Sequence, residues 1–517
     1  MDKTRKLVLA GLMALAVLHC LPARAASGKS VWFQGSVAEA FALAGKQNRP
    51  VFLYWGAVWC PPCSEIKSEV FAKPGFAGLM QSFIPVYLDG DTERAQIWGE
   101  KLGARGYPTI LVLNPDGTET MRIDGGLNFD EFRQALGSVL ASSAAIGDVV
   151  QRAAVGKASR QEWQKLAWLS WGQLDAGSFD EARLLTLRLD MLDHIPVDLT
   201  GEKTALGAAL LLSAAGARTE SGKKAAALVR ERATPVLQLM LGSAAGRRRA
   251  RAAIIQGAAI VAWLAPEKGP AARRLRQRWL EAAQLLANDP ALSVDSRLWT
   301  VYPALQFHSQ EYGEDAPVPE ALRRRVEAAV ALADREATTK NTRNSVISGA
   351  AWLLSLAGSV DKARLLLQKE LQSTATPWYY QSALAGLEKR AGNAAAARRL
   401  YGAARRSARG NATRLQWLVR DLLFRAQGSY AGQDQEVPEL LDQYYALVFS
   451  LEDGFSGRNA RGAGRVAKGL GPWVKKDPVQ KVLLAREKDC RQLAARAKEK
   501  CLEHFKAIRA AGEVATR

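Results

Sequence analysis

Cysteine and histidine are scarce in this chain, with five and four among 517 residues. Five cysteines over that length cannot build the disulfide framework of a small secreted scaffold. Four scattered histidines leave little for a multi-histidine metal site. Long hydrophobic runs are missing too. Beyond Leu21 no stretch of roughly 18 apolar residues occurs, so that part offers no membrane-spanning candidate. Wholesale disorder is excluded because 48% of the residues are hydrophobic and only 24% charged. One core cannot serve such a length, so at least two domains are expected.

What is present begins with a targeting pattern. Lys3, Arg5 and Lys6 precede an apolar run from Leu7 to Leu21, and Ala23-Arg24-Ala25 has the small-x-small form of a cleavage site. Residues 1–25 therefore read as a signal peptide, which makes the mature chain exported and periplasmic, in an oxidising compartment. An uncleaved anchor is the alternative. Cys20 hints at a lipoprotein, but His19 is a poor residue before a lipidated cysteine.

The net charge of +20 is unevenly spread. Residues 26–143 carry 10 basic and 12 acidic side chains, whereas residues 144–517 carry 57 and 38. Composition shifts at the same place, towards Ala, Leu and Arg. The expected organisation is an α/β domain over 26–143, a small-residue linker over 144–150, an all-α repeat region over 151–480 and a basic C-terminal helix over 481–517. The α/β domain is expected to fold alone and to be separated by proteolysis near 141–150.

Within residues 26–143, Ser36 is placed to cap a helix reaching Gln47. Val51 to Gly56 reads as a strand buried on both faces, and Pro62 to Phe71 as a helix. Ile84 to Leu88 and Thr109 to Asn114 are further strands. The Asn114-Pro115-Asp116-Gly117 turn returns the chain as a strand from Glu119 to Ile123. A last helix covers Asn128 to Leu140.

Trp59-Cys60-Pro61-Pro62-Cys63 follows the first strong strand. Two cysteines at this spacing meet when the first lies just before a helix and the second in its first turn. The first, as a thiolate, attacks a disulfide, and the second resolves the mixed disulfide. Half a zinc site looks the same, but no second CxxC or nearby histidine completes one. A purely structural disulfide is the other alternative.

On these residues, with Val51 to Trp55 before them, Gly106-Tyr107-Pro108-Thr109 after them and the Asn114 to Gly117 hairpin, residues 30–142 resemble the thioredoxin superfamily, most closely its exported thioredoxin-like domains. The resemblance implies a thiol–disulfide oxidoreductase with Cys60 and Cys63 as its redox-active, catalytic pair. It also implies substrate contacts from Trp59, Tyr107 and Pro108, with Pro108 a cis-proline beside which substrate backbone adds as a strand. One position departs from the family. A buried aspartate six residues before the first cysteine is replaced by Tyr54, a weak base near neutral pH. Glu65 and Glu69 could substitute, although helix carboxylates are more often solvated. Cys60 is expected at the surface as a nucleophile of lowered pKa, and Cys63 deeper as the resolving thiol.

The rest repeats itself. Gly177-Ser-Phe-Asp-Glu-Ala182 returns from Gly358 to Ala363 and, less closely, from Gly392 to Ala397. The last two stand 34 residues apart, the period of the tetratricopeptide repeats that they resemble, with Leu384, Ala385, Ala397, Tyr401 and Ala404 at matching offsets. A degenerate helical solenoid is expected, with a compact helical bundle as the alternative. Cys490 and Cys501 would stand about 16 Å apart on one continuous helix, beyond disulfide reach, so a bridge between them requires a break in that helix.

Arginine runs at 247–249, 273–274, 323–325 and 405–406 read as solvated faces. In an exported protein they imply acidic proteins or anionic envelope surfaces rather than nucleic acid as counter-surfaces. The glycine-rich stretch at 462–469 follows no strand, which makes it a flexible loop rather than a phosphate-binding one. His194, His308 and His504 stand alone, and no cofactor or metal motif is found. Two functions remain: an exported thiol–disulfide oxidoreductase whose repeats bind protein clients or a redox partner, and an interaction scaffold with a redox-marginal domain.

Overall fold

The computed structural model describes residues 30–104, 106–174, 180–267, 269–426 and 435–514. The expected signal peptide, Cys20 and residues 177–179 of the first repeat motif lie outside them; the motif's Asp180 caps the helix Glu181–His194.

The first helix, α1 (Val37–Gln47), starts on a capping box in which Ser36 and Glu39 satisfy each other's backbone N–H groups. It ends where Asn48 turns left-handed at φ 48°. Next, β1 (Val51–Gly56) is buried along its whole length because it lies in the middle of the sheet. It pairs parallel with β2 (Ile84–Asp89) and antiparallel with β3 (Thr109–Leu113), and β3 pairs antiparallel with β4 (Glu119–Ile123), giving the order β2-β1-β3-β4. The β3–β4 turn closes as its residues require, with Gly117 N–H donating to Asn114 O at 2.9 Å. Between β1 and β2 come α2 (Pro61–Ile66), a π-helical turn over Lys67–Phe71, and α3 (Phe76–Met80). Then α4 (Glu93–Lys101) precedes β3, and α5 (Phe129–Ala141) closes the unit behind an Asn128–Glu131 capping box.

Alternation along β1 feeds two cores. Val51, Leu53 and Trp55 pack with Val37, Ala40 and Ala95 on one face. Phe52 and Tyr54 face the other way, into a core that does not stop at the domain edge. It includes Phe132 and Leu136, then Val149, Trp163, Leu206 and Trp279, and reaches Trp378 and Trp417.

The stretch read as a linker is mostly helix. Residues 146–154 form α6 (Ile146–Ala154), with Ile146, Val149, Val150 and Ala153 buried in that same core. Its apolar positions recur at helical spacing, which outweighs the small-residue composition that marked a linker. The short connection before it is pinned by Lys165, whose buried ammonium donates to Ser142 O at 2.9 Å and Ala144 O at 2.8 Å. Leu169 bridges Ile123, so the helical region also extends the sheet at its β4 edge.

From Ile146 to Val514 the described residues are helical, joined by turns. The recurring motif falls on matching structures. Helix Lys340–Leu356 turns at Gly358 into Val360–Leu371, and Pro377–Arg390 turns at Gly392 into Ala394–Ser407, with both glycines left-handed at φ 82° and 79°. Ala363 and Ala397 are fully buried behind these turns.

Two expectations about the C-terminal part are corrected. The glycine-rich stretch is not a loop but belongs to the helix Gly457–Gly469, because Ala463, Val466, Ala467 and Leu470 bury one stripe. Packing there exceeds the cost of glycine, roughly 1 kcal/mol each in a helix. The C-terminal segment is likewise not one helix. Asp477–Asp489 and Ala495–Val514 are separated at 490–494, and the break brings Cys490 and Cys501 within 5.8 Å, Cα to Cα, as a disulfide.

Candidate functional site

Cys60 occupies the N-cap of α2 in extended conformation, and its Sγ accepts the Cys63 backbone N–H at 3.3 Å. Pro61 and Pro62 fill the first helical positions, where a missing N–H costs nothing. Both cysteines are free thiols. The Tyr107–Pro108 peptide is cis, as the resemblance implied. Tyr107 is anchored through its hydroxyl, which donates to Gly90 O at 2.7 Å, and its ring meets Trp59 edge-on at 5.7 Å.

Cys60 is not at the surface, contrary to expectation: it is 3% exposed and Cys63 is fully buried. The helices of the second region lie over the motif. Trp59 stacks on Tyr379 at 5.9 Å and meets Trp417 at 5.9 Å, and its indole N–H donates to Asp91 at 3.0 Å and Thr413 at 3.1 Å. Asn344 donates to Ser64 Oγ at 2.6 Å and to Val58 O at 3.3 Å, and so clamps both sides of the motif. Gly410, at φ 76°, passes so close to Asp91 that a Cβ there would lie 2.6 Å from its carbonyl oxygen. Tyr379, Trp417, Thr413 and Asn344 escaped the sequence reading because nothing local marks a side chain that meets a motif some 300 residues away.

The two thiols share a hydrogen bond and lose their protons as a pair. Burial pushes Cys60 up, reinforced by the hydrogen bond and charge of Cys63, so the lowered pKa expected for Cys60 is not found. Burial also opposes ionisation of Cys63. The polar groups of Cys60, the Ala57 backbone and Tyr54 around it, together with the Lys67 charge, outweigh it and draw Cys63 down. The buried Tyr54 hydroxyl has no hydrogen-bond partner, and burial together with the charge of neighbouring Cys63 raises its pKa. Burial keeps Tyr54 protonated, so beside Cys63 it is an available donor and not a base.

Glu65 is not solvated either. It is buried, accepts from Ser293 Oγ at 2.6 Å, and has its pKa raised by burial. Asp295 nearby is raised by burial and by Glu65 itself. Glu69 stays near the surface, 3.7 Å from Lys73.

Several of the arginines read as solvated faces are structural. Arg249 lies 3.5 Å above the Trp168 ring, Arg248 pairs with Asp289, and Arg405 reaches the buried Asp421 at 3.0 Å. Arg251 crosses from the helical region to α5, where it pairs with Glu131 at 2.8 Å. Cys60, Trp59, Pro61 and Tyr107 share the wall of a cavity of about 890 Å³ at this boundary; Cys63 does not reach it.

Residues 37–140 match the family model of the thioredoxin-like domain. No curated protein matches the chain.

Proposed function

We propose that the chain is an exported thiol–disulfide oxidoreductase in which Cys60 is the attacking thiol and Cys63 the resolving one. The observation that carries this reading is a reduced cysteine pair on the first turn of α2, with Cys60 lining the same cavity as Tyr107 of the cis Tyr107–Pro108 peptide. Access separates the two roles, because only Cys60 borders open space. Ionisation is shared: the pair's negative charge rests on Cys63, and Cys60 attacks once its proton has moved across their hydrogen bond. Trp59 and Tyr107, on the cavity wall, and Pro108 behind them are read as substrate contacts. The helical region, read as degenerate tetratricopeptide-like repeats, governs which substrates and partners reach the site. Export is supported by the Cys490–Cys501 disulfide, since such bonds persist in oxidising compartments. Among the described residues no helix is long and apolar enough to cross a membrane.

The covering of Cys60 favours a second reading, a scaffold whose α/β domain is redox-marginal. Equilibrating the full chain in dithiothreitol redox buffers separates the two. Mass spectrometry should find a Cys60–Cys63 disulfide that forms and disappears reversibly, and that is lost in Cys60→Ser. A pair that never cycles supports the scaffold.

A further inference from the structure

The cavity beside Cys60 has a definite chemistry. One wall is the motif itself, and the opposite wall comes from the helices Asn411–Ala426 and Gly457–Gly469. Arg420 stands on the first, and Arg461, Arg465 and Lys468 follow one face of the second at spacings of four and three. All four cations are solvent-accessible. No acidic side chain is among the described residues that line the cavity. Gly462 and Gly464 lie between the cations, and their lack of side chains leaves room above Cys60.

Access for a folded protein is closed in two ways. Cys60 is covered by Trp59 and the helices that stack on it. The backbone beside the cis-proline is engaged as well, because Gln173 donates to Pro108 O at 3.4 Å and accepts from Thr109 Oγ1 at 3.3 Å. A volume of about 890 Å³ lies within the usual range for small-molecule sites, roughly 300–1,000 Å³.

We propose that this cavity delivers a small anionic disulfide, a carboxylate-bearing molecule of peptide size, to Cys60, and that Arg420, Arg461, Arg465 and Lys468 select it. The inference rests on the thiol-exchange reading and narrows its substrate class. The Cys60 thiolate attacks one sulfur of RSSR, forming Cys60–S–S–R and releasing RS⁻. The Cys63 thiolate then attacks the Cys60 sulfur, closing the Cys60–Cys63 disulfide and releasing the second RS⁻. Two electrons pass from the protein dithiol to RSSR, and the two thiol protons leave on the two RSH products.

The test compares oxidised glutathione, whose carboxylates outnumber its ammonium groups, with cystamine, a dication, on the reduced full chain. Cys60–Cys63 disulfide formation should be at least about tenfold faster with glutathione at low salt. That advantage should shrink several-fold as salt rises towards about 1 M. Arg465→Ser with Lys468→Ser, both at exposed helix positions, should move the ratio towards unity. Equal rates for the two disulfides, a ratio indifferent to salt and to the double variant, or faster reduction of insulin than of glutathione overturns the inference. A chain that cycles with dithiothreitol but shows no such preference overturns the inference alone; one that cycles with neither overturns the thiol-exchange reading as well.

Discussion

At the scale of single residues, the site turns on which sulfur holds charge and which meets substrate. Only Cys60 borders the cavity, so Cys63→Ser should accumulate mixed disulfides through Cys60, whereas Cys60→Ser should accumulate essentially none. Non-reducing electrophoresis with peptide mapping checks this, and equal trapping by the two variants would show the roles to be misassigned. Tyr54 has a role here that its position in the family pattern does not disclose. Its protonated hydroxyl is poised beside Cys63, in a cluster in which its ring stacks on Tyr87 at 5.3 Å and meets Phe71 at 4.9 Å. Tyr54→Phe keeps that packing and removes the donor, so the Cys63 pKa should rise. Resolution at neutral pH should slow about fivefold, the equivalent of one hydrogen bond of about 1 kcal/mol. Its pH–rate profile should move to the alkaline side; an unmoved profile would remove Tyr54 from the proton balance.

At the scale of elements, two contacts decide how pieces of chain meet. Gly410 begins the helix that lies over Trp59, and its left-handed conformation and closeness to Asp91 both forbid a side chain. Gly410→Ala should loosen that helix, with a destabilisation of about 1–3 kcal/mol. The readout is faster alkylation of Cys60 by iodoacetamide; an unchanged rate would show that this contact does not cover the thiol. In the C-terminal hairpin, His504 is buried against Tyr445, with its ring nitrogen 3.1 Å from the hydroxyl. Burial lowers its pKa from 6.5 to about 4. The folded value lies below the unfolded one, so the unfolded chain binds the proton first as pH falls. The contribution is complete above pH 6.5 and is lost between 6.5 and about 4. It amounts to about 3 kcal/mol. His504→Gln should flatten that part of the urea-midpoint profile, and a profile as steep as the native one would assign the acid sensitivity elsewhere.

At the scale of the whole molecule, the two regions share a core and do not merely adjoin. Phe52 and Phe132 of the α/β domain belong to the same cluster as Trp163, Trp279 and Trp417. Arg251–Glu131, Ser293–Glu65 and Asn344–Ser64 satisfy polar groups across the same boundary. A protease that cuts at 142–145 should therefore leave two fragments that still co-elute on size exclusion in native buffer and separate only in denaturant. Fragments that part without denaturant would restore the picture of an α/β domain that folds alone. The same sharing explains the geometry around the cysteine pair, since the helices that complete the core also roof the thiols.

Local order was legible because it rests on neighbours in the chain. Ser36 and Asn128 as caps, the buried run of β1, the Asn114–Gly117 turn and Cys60 ahead of α2 all arise from spacing and backbone chemistry within a few residues. The α/β class of residues 37–140 and the helical character of the region after Ile146 were determined at that level. The cover over Cys60 was not. Tyr379, Thr413, Asn344 and Gln173 carry no local sign of where they will be, and the glycines of 457–469 join a helix only because a buried stripe holds them there. Burial of the thiols, the inversion of their proton affinities and the cationic wall of the cavity depend on contacts between segments far apart in sequence. Those contacts come from desolvation and side-chain packing, which exist only once the chain has closed on itself.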